Sequence, residues 1–221
     1  MKPPALLFAI SAAASLTFLL ARTYTAGDWT VVLKLLSILP LCLLGYRVDA
    51  RLGTALAVSA LGDFLLGVRR LGSLNEESLF LLGLSAFLVA HLVYIALFVR
   101  YRANIWWKPA PMRVPGVVAI LVAVGAVLGI LHSSLGSLLV PVVVYSLALA
   151  GMGISAMLAD LGNPLACFGA LLFNSSDTML AIGKFRGAFP GHEPLVWITY
   201  YLAQYLILRG VQRRHDRKAA V

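Results

Sequence analysis

Charged residues are scarce in this chain. Asp, Glu, Lys and Arg make up only 12% of its 221 residues, against roughly 25% in an ordinary soluble domain. Apolar residues make up 61% of the sequence, and the mean hydropathy is +0.90. A water-soluble fold of this size cannot bury so much apolar surface. The composition therefore excludes an ordinary soluble domain and indicates an integral membrane protein.

Cysteine is nearly absent as well, since only Cys42 and Cys167 occur. Each lies inside an apolar block, and neither has a C-x-x-C pattern or a histidine nearby. The sequence therefore predicts no disulfide framework and no structural zinc site, and no motif indicates a cofactor.

Acidic residues are half as frequent as basic ones, 9 against 18, which gives a net charge of +9. Nucleic-acid binding would place Lys and Arg along a stripe with interleaved aromatics. Here the basic residues stand between and after apolar blocks instead. They are typical of charges that flank membrane spans, and we predict no nucleic-acid partner.

Long apolar blocks dominate the sequence. A helix needs about 20 mostly apolar residues to cross roughly 30 Å of hydrocarbon. We therefore predict an all-α fold, an integral membrane bundle of about eight transmembrane helices that forms a single domain over residues 1–221. The predicted spans lie near residues 4–21, 29–46, 52–68, 78–99, 115–132, 136–158, 164–182 and 194–209.

Two of these blocks need further argument. Residues 114–159 carry no formal charge, and as one helix they would be about 69 Å long, so we predict that the chain turns back at residues 132–136. The first block has the basic start and the small residues of a signal peptide, but its apolar run is long for one, so we interpret it as a span.

The distribution of Lys and Arg predicts the orientation. With eight spans, one side of the membrane has 12 basic residues, including Arg47, Arg100 and Arg213, and the opposite side has five, including Arg22 and Lys184. The side richer in basic residues is usually cytoplasmic. We therefore expect both termini in the cytoplasm and one basic residue, Lys34, inside a span.

Two aspartates lie inside predicted spans. An Asp at the centre of a span costs about 2.5–3.5 kcal/mol on insertion scales, so such residues face the bundle interior or a wet cavity. Asp63 and Asp177 each lie about 11–13 residues from the cytoplasmic end of a span, roughly 16–20 Å deep. We predict that the two carboxyl groups are catalytic and share one site.

Other polar side chains are predicted at similar depth, where they would bind substrate or support the two acids. Gly83, Phe87, His91 and Tyr94 follow helical spacing on one face of the fourth span. The supporting residues that we predict are Lys34, His91, Tyr94, Tyr145, Asn174, Tyr200, Tyr201 and Gln204.

Structural interpretations of these residues stay open. His91 could be an ordinary interhelical hydrogen-bond donor, and Lys34 could form a structural ion pair with an aspartate. The tyrosines of the eighth span could simply pack between helices. Gly125-x-x-x-Gly129 is a close-packing pattern, and Trp106 and Trp107 beside Lys108 are typical of an anchor at the membrane interface.

At these residues the sequence resembles the YhhN-like, or lysoplasmalogenase, family of membrane enzymes. The resemblance runs from Lys34 to Gln204, and in the family a proline follows that lysine closely, whereas here it is delayed to Pro40. The segments that carry it are Gly62-Asp63 with Leu65 and Leu66, Gly83-Leu84, Phe87, Ala90-His91-x-x-Tyr94, Tyr145-Ser146, Gly169-Ala170-Leu171-Leu172-Phe173, Ser176-Asp177, Lys184-Phe185 and Tyr200-Tyr201-x-Ala203-Gln204.

The resemblance implies hydrolysis of the vinyl-ether bond of a lysoplasmalogen, a lysophospholipid substrate, to a fatty aldehyde and a glycerophospho-headgroup. It also implies that Asp63 and Asp177 match the presumed catalytic acids of the family. Basic residues on the outer side could hold the phosphate, although ordinary loop charges are the simpler interpretation. These residues are Arg69, Arg70, Lys184 and Arg186.

Three other functions compete with this one. Intramembrane Asp, Lys and His also build the proton relays of transporters, but no inverted repeat is evident. An ester-cleaving lysophospholipase is disfavoured because no G-x-S-x-G motif occurs. Asp63, His91 and Asp177 could hold a divalent cation, but they lack a tight ligand motif, so we predict no metal.

Overall fold

The computed structural model describes residues 3–24, 29–68, 71–102 and 113–219, and helices account for most of them. Within these residues there are eight α-helices and no β-strand, as the all-α prediction requires. The helices are α1 (Pro3–Tyr24), α2 (Thr30–Val48), α3 (Ala50–Gly67), α4 (Glu76–Arg100), α5 (Arg113–Leu135), α6 (Leu139–Leu158), α7 (Leu165–Arg186) and α8 (His192–Ala219).

The chain divides into two compact units, Met1–Tyr94 and Ile95–Val221. In the first unit α1 packs against α2, where the hydroxyl of Ser11 donates to the carbonyl oxygen of Ser37 at 2.5 Å. Helix α2 continues through Pro40 without ending. Asp49 then separates α2 from α3, and its carboxylate accepts a hydrogen bond from the backbone N–H of Arg51 as a helix N-cap.

The second unit begins with a helical hairpin of α5 and α6. Ile120 of α5 packs with Ala150 and Met157 near one end of the hairpin, and Leu131 packs with Val142 near the other. The two helices are therefore antiparallel. The reversal occurs at a short 3-10 turn, Gly136–Leu138, that begins with Gly136 at φ +49°. The predicted reversal is thus confirmed, although the turn begins four residues and ends two residues later than the predicted residues 132–136.

Helices α7 and α8 form a second antiparallel hairpin. They approach most closely at Gly169, where a Cβ would lie 2.8 Å from the carbonyl oxygen of Ala203. The hydroxyl of Ser176 donates to the carbonyl oxygen of Val196, and the ring of His192 hydrogen-bonds the carbonyl oxygen of Met179. Contacts thus run along most of the length of α7.

Six segments of the described chain are long and apolar enough to cross a membrane, and one of them, Arg113–Leu158, contains both α5 and α6. The chain is a multi-pass membrane protein. Seven helices thus satisfy the criterion, whereas α8, which carries a basic last half, does not. The number of eight spans stays a prediction, as does the single domain.

The helices also extend beyond the predicted spans. Helix α4 begins at Glu76, where two carboxylates in the first turn stabilise the positive end of the helix dipole. Helix α8 continues to Ala219 because Arg, Lys, Gln and Ala favour helix as much as apolar residues do. Apolarity marks the part of a helix that lies in hydrocarbon, so it underestimates helix length.

Candidate active site

The carboxylate of Asp177 lies inside the second unit, on α7. Its side chain is buried, with 8% of its surface exposed. The hydroxyl of Tyr145, on α6, donates a hydrogen bond to Oδ2 of Asp177. Tyr145 is buried as well. The structure therefore places one predicted catalytic acid in direct contact with one predicted supporting residue.

Asn174 lies one turn before Asp177 and faces α6. Its side-chain amide donates to the carbonyl oxygen of Ala170 at 2.9 Å, one turn earlier in the same helix. A Cβ at Gly153 would lie 2.9 Å from Nδ2 of Asn174, so the absence of a side chain there leaves room for the amide. Asn174 thus fixes the packing of α6 on α7 beside the acid.

Aromatic side chains of α8 pack on the same turn of α7. The ring of Phe173 meets Tyr200 edge to face at 5.5 Å between centroids. Trp197 lies 5.6 Å from Tyr200 and stacks on Tyr201 at 6.5 Å. Tyr200 therefore packs between α7 and α8 at the level of Phe173, four residues before Asp177, whereas Tyr201 stacks on Trp197 of its own helix.

Trp197 was not among the predicted residues, although it is buried and contacts two of them. Its spacing of three and four residues from Tyr200 and Tyr201 places it on the same face of α8. Gln204, one turn further along, is fully buried. A buried amide in the eighth predicted span is consistent with a polar interior at this position.

In the first unit, Asp63 is buried on α3, with 5% of its surface exposed. The preceding residue, Gly62, lies against the ring of Phe87 of α4, since a Cβ there would come within 2.6 Å of it. This contact holds α3 and α4 together immediately beside the acid. Asp63 is thus buried on a helix of the first unit, as Asp177 is on a helix of the second.

His91 and Tyr94 follow Phe87 on α4, and both are completely buried. Lys34 of α2 is half-buried, and its ammonium group lies 5.3 Å from the centroid of the Phe18 ring, a cation–π contact. The expectation that Lys34 pairs with an aspartate stays a prediction. So does the shared site of Asp63 and Asp177, which belong to different units.

The basic residues suggested for phosphate binding have separate outcomes. Arg186 is exposed at the end of α7, where its guanidinium donates to the carbonyl oxygen of Ile130 and to the hydroxyl of Ser133. These bonds fasten α7 to α5 and favour a structural role. Lys184 is exposed. Several residues named in the sequence predictions lie outside the described residues: Lys2, Arg69, Arg70, Trp106, Trp107 and Lys108.

No group of three or more His, Cys, Asp or Glu side chains in the described ranges is arranged to hold a metal ion.

The predicted close packing at Gly125 and Gly129 is wrong for the described chain, because a Cβ at either position would meet no atom of another element within 4 Å. Both glycines are exposed on α5.

Comparison with known proteins identifies the family. Residues 29–211, which include Asp63 and Asp177, match the YhhN family. The chain belongs to the YhhN family. The expectation drawn from the resemblance is thereby confirmed, and the matched region extends over all helices from α2 to most of α8.

Curated proteins named lysoplasmalogenase are similar to this chain. A lysoplasmalogenase of Mycobacterium bovis is 37% identical over 161 residues, which are 71% of this chain and 58% of that protein. Lysoplasmalogenase TMEM86B of Sus scrofa is 34% identical over 75% of this chain and 65% of its own length, and that of Homo sapiens is 32% identical over 72% and 62%.

The chain thus spans about three fifths of the length of the curated relatives that it matches. No solved structure matches it.

Proposed function

We propose that the chain is a hydrolase of the lysoplasmalogenase type, which cleaves the vinyl-ether bond of a lysoplasmalogen. The observation that carries the proposal is the buried pair of Asp177 and Tyr145 in a chain of the YhhN family whose curated relatives are named lysoplasmalogenases. The products would be a fatty aldehyde and a glycerophospho-headgroup.

Vinyl-ether cleavage requires an acid, a base and nearby negative charge. Protonation of the β-carbon of the enol ether gives an oxocarbenium ion. Water then adds to the cationic carbon and loses a proton, and the resulting hemiacetal collapses to an aldehyde and the glycerol hydroxyl. Two carboxyl groups are sufficient for these steps, as they are in glycoside hydrolysis, whose transition state is also an oxocarbenium ion.

Asp63 and Asp177 are the two groups that we assign to this chemistry. One protonates the alkene, and the other activates water and stabilises the cation, while His91, Tyr200 and Gln204 position the glycerol or the water. The remaining supporting residues would line the proposed site, and these are Lys34, Tyr94, Asn174 and Tyr201. The support is the burial of both acids in apolar helices, where an idle carboxylate is costly.

A site inside the membrane suits a substrate of this kind. The single hydrocarbon chain of a lysolipid can enter from the bilayer while its headgroup stays in contact with water. We propose further that both termini are cytoplasmic, as the distribution of Lys and Arg indicates.

The activity is tested with matched lysolipids and purified protein in detergent. We expect aldehyde release from a lysolipid with a vinyl-ether chain, and none from the analogues with an ester chain or a saturated ether chain. Release of fatty acid from the ester analogue alone would contradict the proposal. Aldehyde release by the purified protein would also exclude a function in transport alone.

The assignment of the acids is tested with Asp63→Asn and Asp177→Asn. Each variant should lose about 10²–10⁴-fold in kcat, the usual contribution of a general acid or base. Asp216→Asn is the matched control, because Asp216 is exposed in the last turns of α8. Near-normal aldehyde release by a folded Asp63→Asn or Asp177→Asn variant would contradict the assignment.

A further inference from the structure

The second unit has an arginine cluster at the end where α6 joins α7. We define this basic end by Arg102, Arg213, Arg214 and Arg217. The guanidinium carbon of Arg214 lies 5.1 Å from the centroid of the Tyr101 ring. Arg217 extends over the connection between α6 and α7, where its Nη1 would lie 3.0 Å from a Cβ at Gly162. Arg102 forms an isolated β-bridge with Ala159 of the same connection.

Hydrogen bonds to backbone carbonyl oxygens hold this cluster in place. The N–H of Asp160 donates to the carbonyl oxygen of Tyr101 at 2.8 Å. The amide of Asn163 donates to the carbonyl oxygens of Leu161 and Gly210 at 3.0 and 2.9 Å, so it fastens the α6–α7 connection to α8. The arginines therefore project from a fixed framework that joins the end of α4, the α6–α7 connection and α8.

Within the described part of this end, positive charge exceeds negative charge. The four arginines have two aspartates near them, Asp160 and Asp216, and Asp160 accepts a hydrogen bond from the backbone of Gly162. Arg102, Arg213 and Arg217 are exposed. The Nε of Arg214 is buried and has no hydrogen-bond partner in the described residues.

We propose that the basic end binds the phosphate groups of anionic phospholipids. Guanidinium groups match phosphate oxygens with paired N–H donors. The apolar helices α5, α6 and α7 begin or end next to this cluster, so the phosphates of a bilayer would lie at its level. This lipid site is separate from the proposed active site and does not depend on the proposed hydrolysis.

The test uses the full chain in a neutral detergent and follows its thermal unfolding midpoint. Phosphatidylglycerol should raise the midpoint in a saturable manner, whereas phosphatidylcholine should not. Arg214→Gln and Arg217→Gln should each raise the half-saturating concentration of phosphatidylglycerol by about fivefold, the usual effect of one basic residue near an anionic membrane surface. Arg47→Gln removes an exposed charge in the last turn of α2, in the first unit, and should leave that concentration unchanged.

Three results would overturn the proposal. One is a half-saturating concentration of phosphatidylglycerol that is the same in both arginine variants as in the parent chain. Another is an equal shift in Arg47→Gln, which would indicate a general charge effect. The third is full stabilisation by inorganic phosphate alone, which would assign the site to a soluble anion. Arg214→Lys and Arg217→Lys keep the charge and provide folded comparisons if a glutamine variant does not fold.

Discussion

The contact between Tyr145 and Asp177 joins a hydroxyl and a carboxylate that both lie away from water. A hydrogen bond to a charged group contributes about 1.5–3 kcal/mol, and a buried acceptor that loses its donor pays the desolvation cost in full. The phenol also restricts the orientation of the carboxylate relative to α6. Tyr145 is therefore a positioning residue for Asp177 in the proposed reaction.

Removal of this hydroxyl should reduce catalysis as well as stability. We expect Tyr145→Phe to lower kcat by about 10- to 100-fold, the equivalent of one hydrogen bond to a charged group, with little change in KM. Aldehyde release from a vinyl-ether lysolipid measures both constants. Tyr46→Phe is the matched control, because its hydroxyl hydrogen-bonds Thr54 at an exposed position. Equal kcat values for Tyr145→Phe and the parent chain would disprove the role.

The sequence could identify the two aspartates because a carboxylate inside an apolar block is costly in free energy, and its presence there therefore indicates a function. It could not tell which hydroxyl contacts which acid, since that depends on how α6 is rotated against α7. Trp197 was missed for a different reason. An aromatic residue in an apolar helix has no comparable cost, so only its contacts with Tyr200 and Tyr201 distinguish it.

At the scale of elements, the α7–α8 hairpin depends on the small residue at Gly169. A Cβ there would lie 2.8 Å from the carbonyl oxygen of Ala203 and 3.0 Å from the backbone nitrogen of Ile207. Both atoms belong to the backbone of α8 and cannot move aside as the end of a side chain can. The two helices must therefore separate to accept even a methyl group.

Two alanine substitutions of helical glycines should have opposite effects. We expect Gly169→Ala to lower the free energy of unfolding by about 1–3 kcal/mol, the usual cost of overpacking. Gly125→Ala adds the same methyl group where no other element lies within 4 Å, and it should stabilise its helix by about 0.5–1 kcal/mol. Thermal unfolding midpoints in one detergent measure both. A similar shift in the two variants would show that the close approach of α7 and α8 does not restrict the side chain at position 169.

The same pair of glycines shows what sequence patterns predict at this scale. Gly125-x-x-x-Gly129 has the spacing of a close helix contact but faces no other helix among the described residues, whereas Gly169 has such a contact without that spacing. Small residues permit a close approach and do not determine which helix approaches. By contrast, the reversal between α5 and α6 followed from length alone, because a helix of about 69 Å exceeds twice the hydrocarbon thickness.

For the whole molecule, the topology depends on α8. This helix is less apolar than the other seven, but it lies antiparallel to α7 from His192, which packs on Gly183, to Gly210, which packs on Ala166. Those 19 residues extend about 28 Å, close to the hydrocarbon thickness. Since α7 is apolar enough to cross the membrane, a helix that accompanies it over this length should cross as well.

Labelling of single introduced cysteines tests this topology and the proposed orientation together. We expect a membrane-impermeant maleimide to label Ser137→Cys, in the exposed turn between α5 and α6, on intact cells. Asp216→Cys, exposed near the end of α8, should be labelled only after the cells are permeabilised. The parent chain is the background control, because its Cys42 is buried and its Cys167 donates to the carbonyl oxygen of Ala156.

The alternatives give different labelling patterns. If both introduced cysteines react on intact cells, α8 does not cross the membrane and the end of α8 lies on the outer side. If only Asp216→Cys reacts, eight spans are present in the inverted orientation, against the distribution of Lys and Arg. Protection of Asp216→Cys with labelling of Ser137→Cys would place the arginines of α8 at the cytoplasmic leaflet, where anionic lipids are concentrated in many membranes.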